Sequence, residues 1–225
     1  MLFFLFLLCC SSTSSVKDNC PEGMVFISGG TFQSGVTTPI RPWHEESRSV
    51  VLESFCMDVY EYPNQLGELP MGRVTWNDAQ AFCQQQDKRL CSSVEWERAC
   101  RGKDGWQYSY GPTYQRSRCN TPITGGGPGK DPPPIAPSGK YSQCVSPEGV
   151  YDLNGSLSEW VSDPWNDFSE PFNARAKVDP KTWRTLRGGT MWSNTFYGQD
   201  CTSRHGHISS WKNIDDGFRC CANPR

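Results

Sequence analysis

The sequence predicts a loop-rich α+β fold stapled by disulfides. Three observations predict it: two well-signalled helices close together in the first half, short apolar strand segments separated by Gly and Pro, and 12 Cys in 225 residues. Helices grouped early and strands grouped late, rather than alternating, indicate α+β. With 21 Gly and 17 Pro, much of the chain must be turn and loop. Nine Trp, eight Tyr and eleven Phe supply the bulk of a sizeable core and argue against disorder. The length suits one domain of roughly 200 residues, or two small ones. So many Cys imply disulfides and an oxidising compartment. A net charge of −2 excludes a basic nucleic-acid footprint, so no nucleic-acid partner is expected.

The chain opens with an unbroken apolar run, Leu2 to Leu8. Seven residues cannot span a bilayer, which needs about 20, but they can form the core of a signal peptide, here without its usual preceding positive charge. Cys9 and Cys10 follow, then Ser11 to Ser15. A Cys after an apolar run with a Ser-rich tether resembles a bacterial lipoprotein signal, so membrane anchoring through a lipidated Cys9 or Cys10 is an expectation beside plain secretion. The boundaries read as a leader over 1–15, a tether over 16–19 and a domain over 20–225.

Within that domain Met24-Val25-Phe26-Ile27 reads as a strand ended by Gly29-Gly30, and Val50 to Tyr60 as a second strand region. Thr75-Trp76-Asn77-Asp78 resembles a capping box with Asp in place of Glu or Gln, and Ala79, Phe82, Cys83 and Gln86 fall on one helical face. Ser92-Ser93-Val94-Glu95 is a full capping box; Trp96, Ala99 and Cys100 form the buried face, and Gly102 stops the helix. The Gly- and Pro-rich stretch from Ser109 to Gly139 reads as a long irregular loop. Short strands are expected near Gly149–Leu153, Thr185–Arg187, Asp200–Ser203 and Gly217–Cys221.

Five ordered motifs resemble the formylglycine-generating, sulfatase-modifying-factor family. They are Gly23 to Phe32; Val74-Thr75-Trp76-Asn77-Asp78-Ala79 with Lys88-Arg89-Leu90 and Glu95-Trp96-Glu97; Gly149 to Gly155 with Ser158-Glu159-Trp160; Leu186-Arg187-Gly188-Gly189; and Gly217-Phe218-Arg219-Cys220. Together they cover Cys20 to Arg225. The resemblance implies a variant of the C-type-lectin fold. It also implies pairing of Cys83 with Cys220 and of Cys100 with Cys201, and by position of Cys20 with Cys56, Cys119 with Cys144 and Cys91 with Cys221. Cys220 and Cys221 are strand neighbours whose side chains face opposite ways, so they take different partners. No CxxC motif occurs, which argues against a zinc cluster or a thioredoxin-type site.

Enzymes of this family oxidise a substrate Cys with oxygen and copper, using two Cys between the Arg-Gly-Gly motif and the position of Cys201. Here Thr190 to Asp200 contains no Cys. A soft Cu(I) site needs thiolates, so neither copper nor formylglycine generation is expected. Calcium is expected instead. The family's ligand positions fall on Asp152 and Glu159 through side chains and on Gly155 and Leu157 through backbone carbonyls, an oxygen-only set suited to a hard cation. Asp152 stands where the family usually has Asn. Asn120 and Thr121 match the start of a second calcium site whose other half, near Asp131, does not register. Asn154-Gly155-Ser156 is formally a glycosylation sequon but lies inside the calcium motif of a bacterial-looking protein.

Two further features concern function. In Arg204-His205-Gly206-His207 the two His share a face if the segment is extended; with His44 or a carboxylate they could hold iron, copper or zinc. The ordinary reading is hydrogen-bonding or surface His. Trp192, Asn194, Phe196, Tyr197, Gln199, Arg204 and Trp211 mix rigid aromatics with adaptable polar groups, as binding paratopes do; plain core packing of Trp192 and Phe196 is the alternative. The family resemblance includes variable surface proteins that recognise ligands with the corresponding segment. The expectation is therefore an exported, non-catalytic binding or envelope protein, periplasmic, lipid-anchored or secreted, monomeric, with a protein, peptide or carbohydrate ligand. The alternative is a divergent periplasmic metal-dependent oxidoreductase of the same family, and a purely structural envelope role is a third reading.

Overall fold

A computed structural model of the chain describes residues 20–39, 44–121, 134–166, 179–190 and 199–225. The strands are β1 (Met24–Ile27), β2 (Gly30–Ser34), β3 (Arg48–Leu52), β4 (Phe55–Asp58), β5 (Arg89–Leu90), β6 (Ser158–Pro164), β7 (Trp183–Arg187), β8 (Arg204–Ile208), β9 (Asp216–Phe218) and β10 (Cys220–Ala222), with helices α1 (Trp76–Gln84) and α2 (Ser93–Arg101) between them. Among the described residues no helix is long and apolar enough to cross a membrane.

Both helices begin where side chains satisfy the free backbone donors of the first turn. Thr75 Oγ1 accepts from Asp78 N–H while Asp78 Oδ2 accepts from Thr75 N–H. Ser92 and Glu95 repeat the arrangement at α2. Gly102 ends α2 with φ 63°, a left-handed value that glycine adopts without steric cost. Helix α1 stops at Gln84, earlier than the apolar spacing predicts, and Asp87 turns away at φ 54°. Gln86 therefore lies beyond the helix and is exposed, leaving Ala79 and Cys83 as its buried residues, with Phe82 partly buried against the core.

A four-stranded sheet, ordered β8-β7-β6-β9, organises the molecule. Strand β6 pairs antiparallel with β7 and parallel with β9, with Ser158 opposite Asp216, Glu159 opposite Gly217 and Trp160 opposite Phe218. Successive side chains point to opposite faces. One face carries Trp160, Leu186 and Phe218, which pack with Val74, Ala79 and Cys83 from α1 and the segment before it. The other contributes Val161 to a second core with Trp96, Ala99 and Cys100 of α2 and Ile27, Phe55 and Met57 of a second sheet, ordered β1-β4-β10-β5. Strand β6 escaped the sequence reading because Ser158-Glu159 places polar residues in its buried first half.

Two expected strands do not form. At 149–153 only a single bridge, Val145 to Tyr151, is present, because Asp152 takes a left-handed φ of 59° and breaks the extension. Residues 200–203 are turned: Asp200 Oδ1 accepts hydrogen bonds from Thr202 N–H, Thr202 Oγ1 and Ser203 Oγ, which folds the chain back on itself. The strand starts at Arg204 instead.

Five disulfides join Cys20 to Cys56, Cys83 to Cys220, Cys91 to Cys221, Cys100 to Cys201 and Cys119 to Cys144, the pairs the family resemblance implies. Adjacent Cys220 and Cys221 lie in different cores, so β10 is bonded to α1 on one side and to the start of the α2 segment on the other.

Candidate functional site

Two clusters of polar side chains lie on opposite faces of the β6–β9 pair. The first surrounds Arg219. Its guanidinium makes a two-pronged pair with Glu159, Nε to Oε2 and Nη2 to Oε1, both at 2.7 Å. It also donates to the carbonyls of Val59 and Tyr151. Trp96 Nε1–H donates to Glu159 Oε2 at 2.7 Å. Arg219 and Glu159 are both about 1% exposed.

Two more carboxylates sit in the same field. Glu61 is 1% exposed; its Oε1 accepts from Leu157 N–H at 3.2 Å, while Oε2 has no hydrogen-bond partner. Asp152 Oδ2 accepts from Gly139 N–H at 2.7 Å. Burial, then the charges of Glu159 and Asp152, pushes Glu61 well above the usual carboxylate range. Burial, with Glu159 adding to it, pushes Asp152 up to about 6. Three carboxylates against one guanidinium leave two negative charges uncompensated when all are ionised. That surplus matches one divalent cation, and the donors are hard oxygens.

The residues therefore fit calcium. Asp152 and Glu159 would contribute side-chain oxygens, with Gly155 and Leu157 supplying carbonyls. Glu159 keeps limited capacity for this, since Oε2 already accepts two hydrogen bonds. Glu61, absent from the sequence reading, brings the unpaired oxygen. It lies 96 positions from Leu157, and no local pattern around Tyr60-Glu61-Tyr62 marks it. Gly155 takes φ +79°, and a Cβ there would stand 2.4 Å from the Asn120 carbonyl oxygen. Asn120 and Thr121 thus pack beside the central motif. The Asn120 carbonyl accepts from Ser156 N–H and its side-chain amide donates to Pro134 O, while Asp131 lies outside the described residues.

The second cluster is on the α1 face. Strand β8 is extended, so His205 and His207 share that face, their ring centroids 4.9 Å apart. Asp216, at the start of β9, joins them, with Oδ2 at 3.0 Å from His207 Nδ1. His44 lies elsewhere, with Nε2 at 3.3 Å from Asp200. Of the residues expected on a contact surface, Trp192, Asn194, Phe196 and Tyr197 lie outside the described residues. Gln199 and Arg204 are only 3% and 8% exposed, which takes them off such a surface. Arg204 is drawn inside by Glu45 and by the Trp165 ring, whereas Trp211 stays half-buried against His207 and Trp183.

A Cu(I)-thiolate site does not fit. Cys201 is bonded to Cys100, and all ten Cys from Cys20 onward are in disulfides, so this domain holds no thiolate ligand.

A family model described as the sulfatase-modifying factor enzyme 1-like domain matches residues 61–224. The chain belongs to that family. Among curated relatives of this sulfatase-modifying-factor-like domain, the serine/threonine-protein kinase pkn1 of Chlamydia caviae is 28% identical over 244 residues, covering 88% of this chain and 37% of the relative. The inactive C-alpha-formylglycine-generating enzyme 2 of Bos taurus is 30% identical over 165 residues, covering 69% of this chain and 50% of the relative. The chain thus spans half or less of the length of these relatives. Among solved structures, PvdO from Pseudomonas aeruginosa superposes with a TM-score of 0.69 at 20% identity, over 92% of this chain and 96% of that one, and shares the fold.

Proposed function

We propose that the protein is an exported, non-catalytic member of its family that acts by binding, with calcium helping to hold its loop-rich frame. One observation carries the reading. The Cys that closes the family's active-site interval, Cys201, is locked to Cys100, and Thr190 to Asp200 supplies no second thiol. Formylglycine generation requires a free thiolate pair. The bovine relative named as inactive belongs to the same family and supports a non-catalytic role. Five disulfides in the domain, with the apolar leader and Ser-rich tether of the sequence, support export to an oxidising compartment. Calcium is supported by the charge surplus around Glu61 and Asp152 and by the unpaired Glu61 oxygen.

The ligand is a protein, peptide or carbohydrate met outside the cytoplasm, and the contact surface includes Trp211. The test is direct. The disulfide-intact protein is incubated with copper, oxygen and a peptide carrying a sulfatase-type substrate Cys, and the product is weighed by mass spectrometry. Unchanged Cys is expected, and conversion to formylglycine would overturn the reading. A screen against envelope proteins and glycans, repeated with Trp211→Ala, then identifies the ligand; equal retention by both forms removes Trp211 from the contact surface.

A further inference from the structure

We propose that His205, His207 and Asp216 form a site for a divalent transition-metal ion of borderline softness, for which zinc is the probe. One ligand atom from each of the three lies within 4.8 Å of the other two. Zinc bonds of 2.0–2.1 Å place tetrahedral donors about 3.3 Å apart, so small side-chain adjustments suffice to close the set. Two imidazoles and one carboxylate leave a fourth position open for water or another ligand, the arrangement that zinc takes in open sites. This inference is independent of the calcium and binding readings above.

Two strands at opposite edges of the sheet build the cluster. Strand β8 presents His205 and His207 on one face, and the parallel pairing of β9 to β6 delivers Asp216 to the same face. Asp216 is fully buried, and its Oδ1 has no hydrogen-bond partner. Leaving a buried carboxylate oxygen unpaired is costly, and a cation bound there removes that cost. The other oxygen, Oδ2, accepts from Asn213 Nδ2 at 3.0 Å, so Asn213 acts as a positioning residue for the carboxylate. Asn213 Nδ2 also lies 3.1 Å from His207 Nδ1. Two groups thus crowd the space at Oδ2, whereas Oδ1 has no hydrogen-bond partner.

The remaining surroundings suit an imidazole donor set. The rings of Trp160 and Trp211 flank His207 at 6.2 Å and 5.4 Å between centroids. The His207 side chain is 22% exposed, which gives an ion a route from solvent. Asp215 lies beside the cluster, next to Asp216 in the chain. It adds negative charge that favours cation approach. The Arg219-centred oxygen cluster offers no nitrogen donor, so the two sites select different ions.

The experiment uses the disulfide-intact protein without a His tag, stripped with chelator, returned to saturating calcium and titrated with zinc. One zinc per chain is expected. His205→Gln and His207→Gln should each weaken zinc binding by about a hundredfold or more, and Asn213→Ala by about tenfold, the size seen when groups supporting a ligand are lost. Cobalt in place of zinc should give the intense visible bands of a four-coordinate ion, lost in the His variants. Near-isosteric Asp216→Asn covers the case in which a His variant fails to fold. No stoichiometric zinc, or binding unchanged in the His and Asp216 variants, would overturn the proposal.

Discussion

The two faces of the β6–β9 pair treat buried charge differently. On the α2 side, Glu159 is held by Arg219 and Trp96, and Glu61 and Asp152 crowd the same space with one cation among the described residues. On the α1 side, Asp216 is as deeply buried but faces two imidazoles and an amide instead of a guanidinium. The register explains how neighbouring residues serve both: Ser158 and Asp216 point one way, Glu159 and Gly217 the other. A guanidinium with several carboxylates makes an oxygen-rich donor set that suits a hard cation. Imidazoles at a partly open edge make a nitrogen-containing set that attracts a softer one.

The largest expected effect is Arg219→Ala. It strips the only cation seen there among the described residues from three buried carboxylates and leaves five hydrogen bonds to Glu159, Asp58, Val59 and Tyr151 unmade. A loss of about 3–5 kcal/mol of stability is expected in denaturant unfolding. A loss under about 1 kcal/mol would show that the cluster relaxes freely and is no rigid frame.

Next in size is the double variant Cys83→Ala with Cys220→Ala, which frees β10 from α1 while leaving Cys91–Cys221 on the other face. A cost of about 2–5 kcal/mol is expected from thermal or denaturant unfolding. The reverse variant, at Cys91 and Cys221, shows which face depends more on its staple.

Calcium sharpens the contrast. At a hundredfold excess over its dissociation constant, calcium should stabilise the protein by about 2.7 kcal/mol. Glu61→Gln removes one of the crowded charges, so the variant should match or exceed the wild type in chelator and lose most of the calcium response. Scanning calorimetry in calcium and in chelator reads both. A calcium response retained in both Glu61→Gln and Asp152→Ala would place the ion elsewhere.

The smallest effect concerns pH. Burial raises the Glu95 carboxyl, but hydrogen bonds from Arg89 and Ser92 outweigh it and hold the group below the usual range. A folded value below the unfolded one contributes stability above the unfolded value near 4.5, lost as pH falls through the folded value. Glu95→Gln should therefore cost up to about 1 kcal/mol at pH 7, discounted because Arg89 is 41% exposed. The cost should shrink as pH falls below that unfolded value in melting experiments, and a pH-independent cost would assign the effect to packing.

Much of the frame is legible in the sequence because it depends on neighbours in the chain. The capping boxes at Thr75 and Ser92 and the glycine stop at Gly102 work through residues three or four positions apart. The opposite faces of Cys220 and Cys221 follow from strand geometry alone. His205 and His207 could be paired on one face for the same reason. What failed were places where distant groups override local preference. The turn at Asp200, the left-handed Asp152 and the early end of α1 defeat reading by periodicity. Burial of Gln199 and Arg204 reflects partners far away in sequence.

The sequence by itself determined the helix starts, the supply of cysteines, the missing thiol pair between Thr190 and Asp200 and the adjacency of the two His. Only the tertiary structure decided that Glu61 faces the Asp152–Glu159 cluster, that Arg219 is its sole counter-charge among the described residues, and that Asp216 rather than His44 lies with the His pair. The physical reason is distance along the chain. Local hydrogen bonds and side-chain periodicity are properties of a few consecutive residues, whereas a charge cluster forms when strands separated by tens of residues meet in one sheet. Its energetics exist only once burial has removed the water between them.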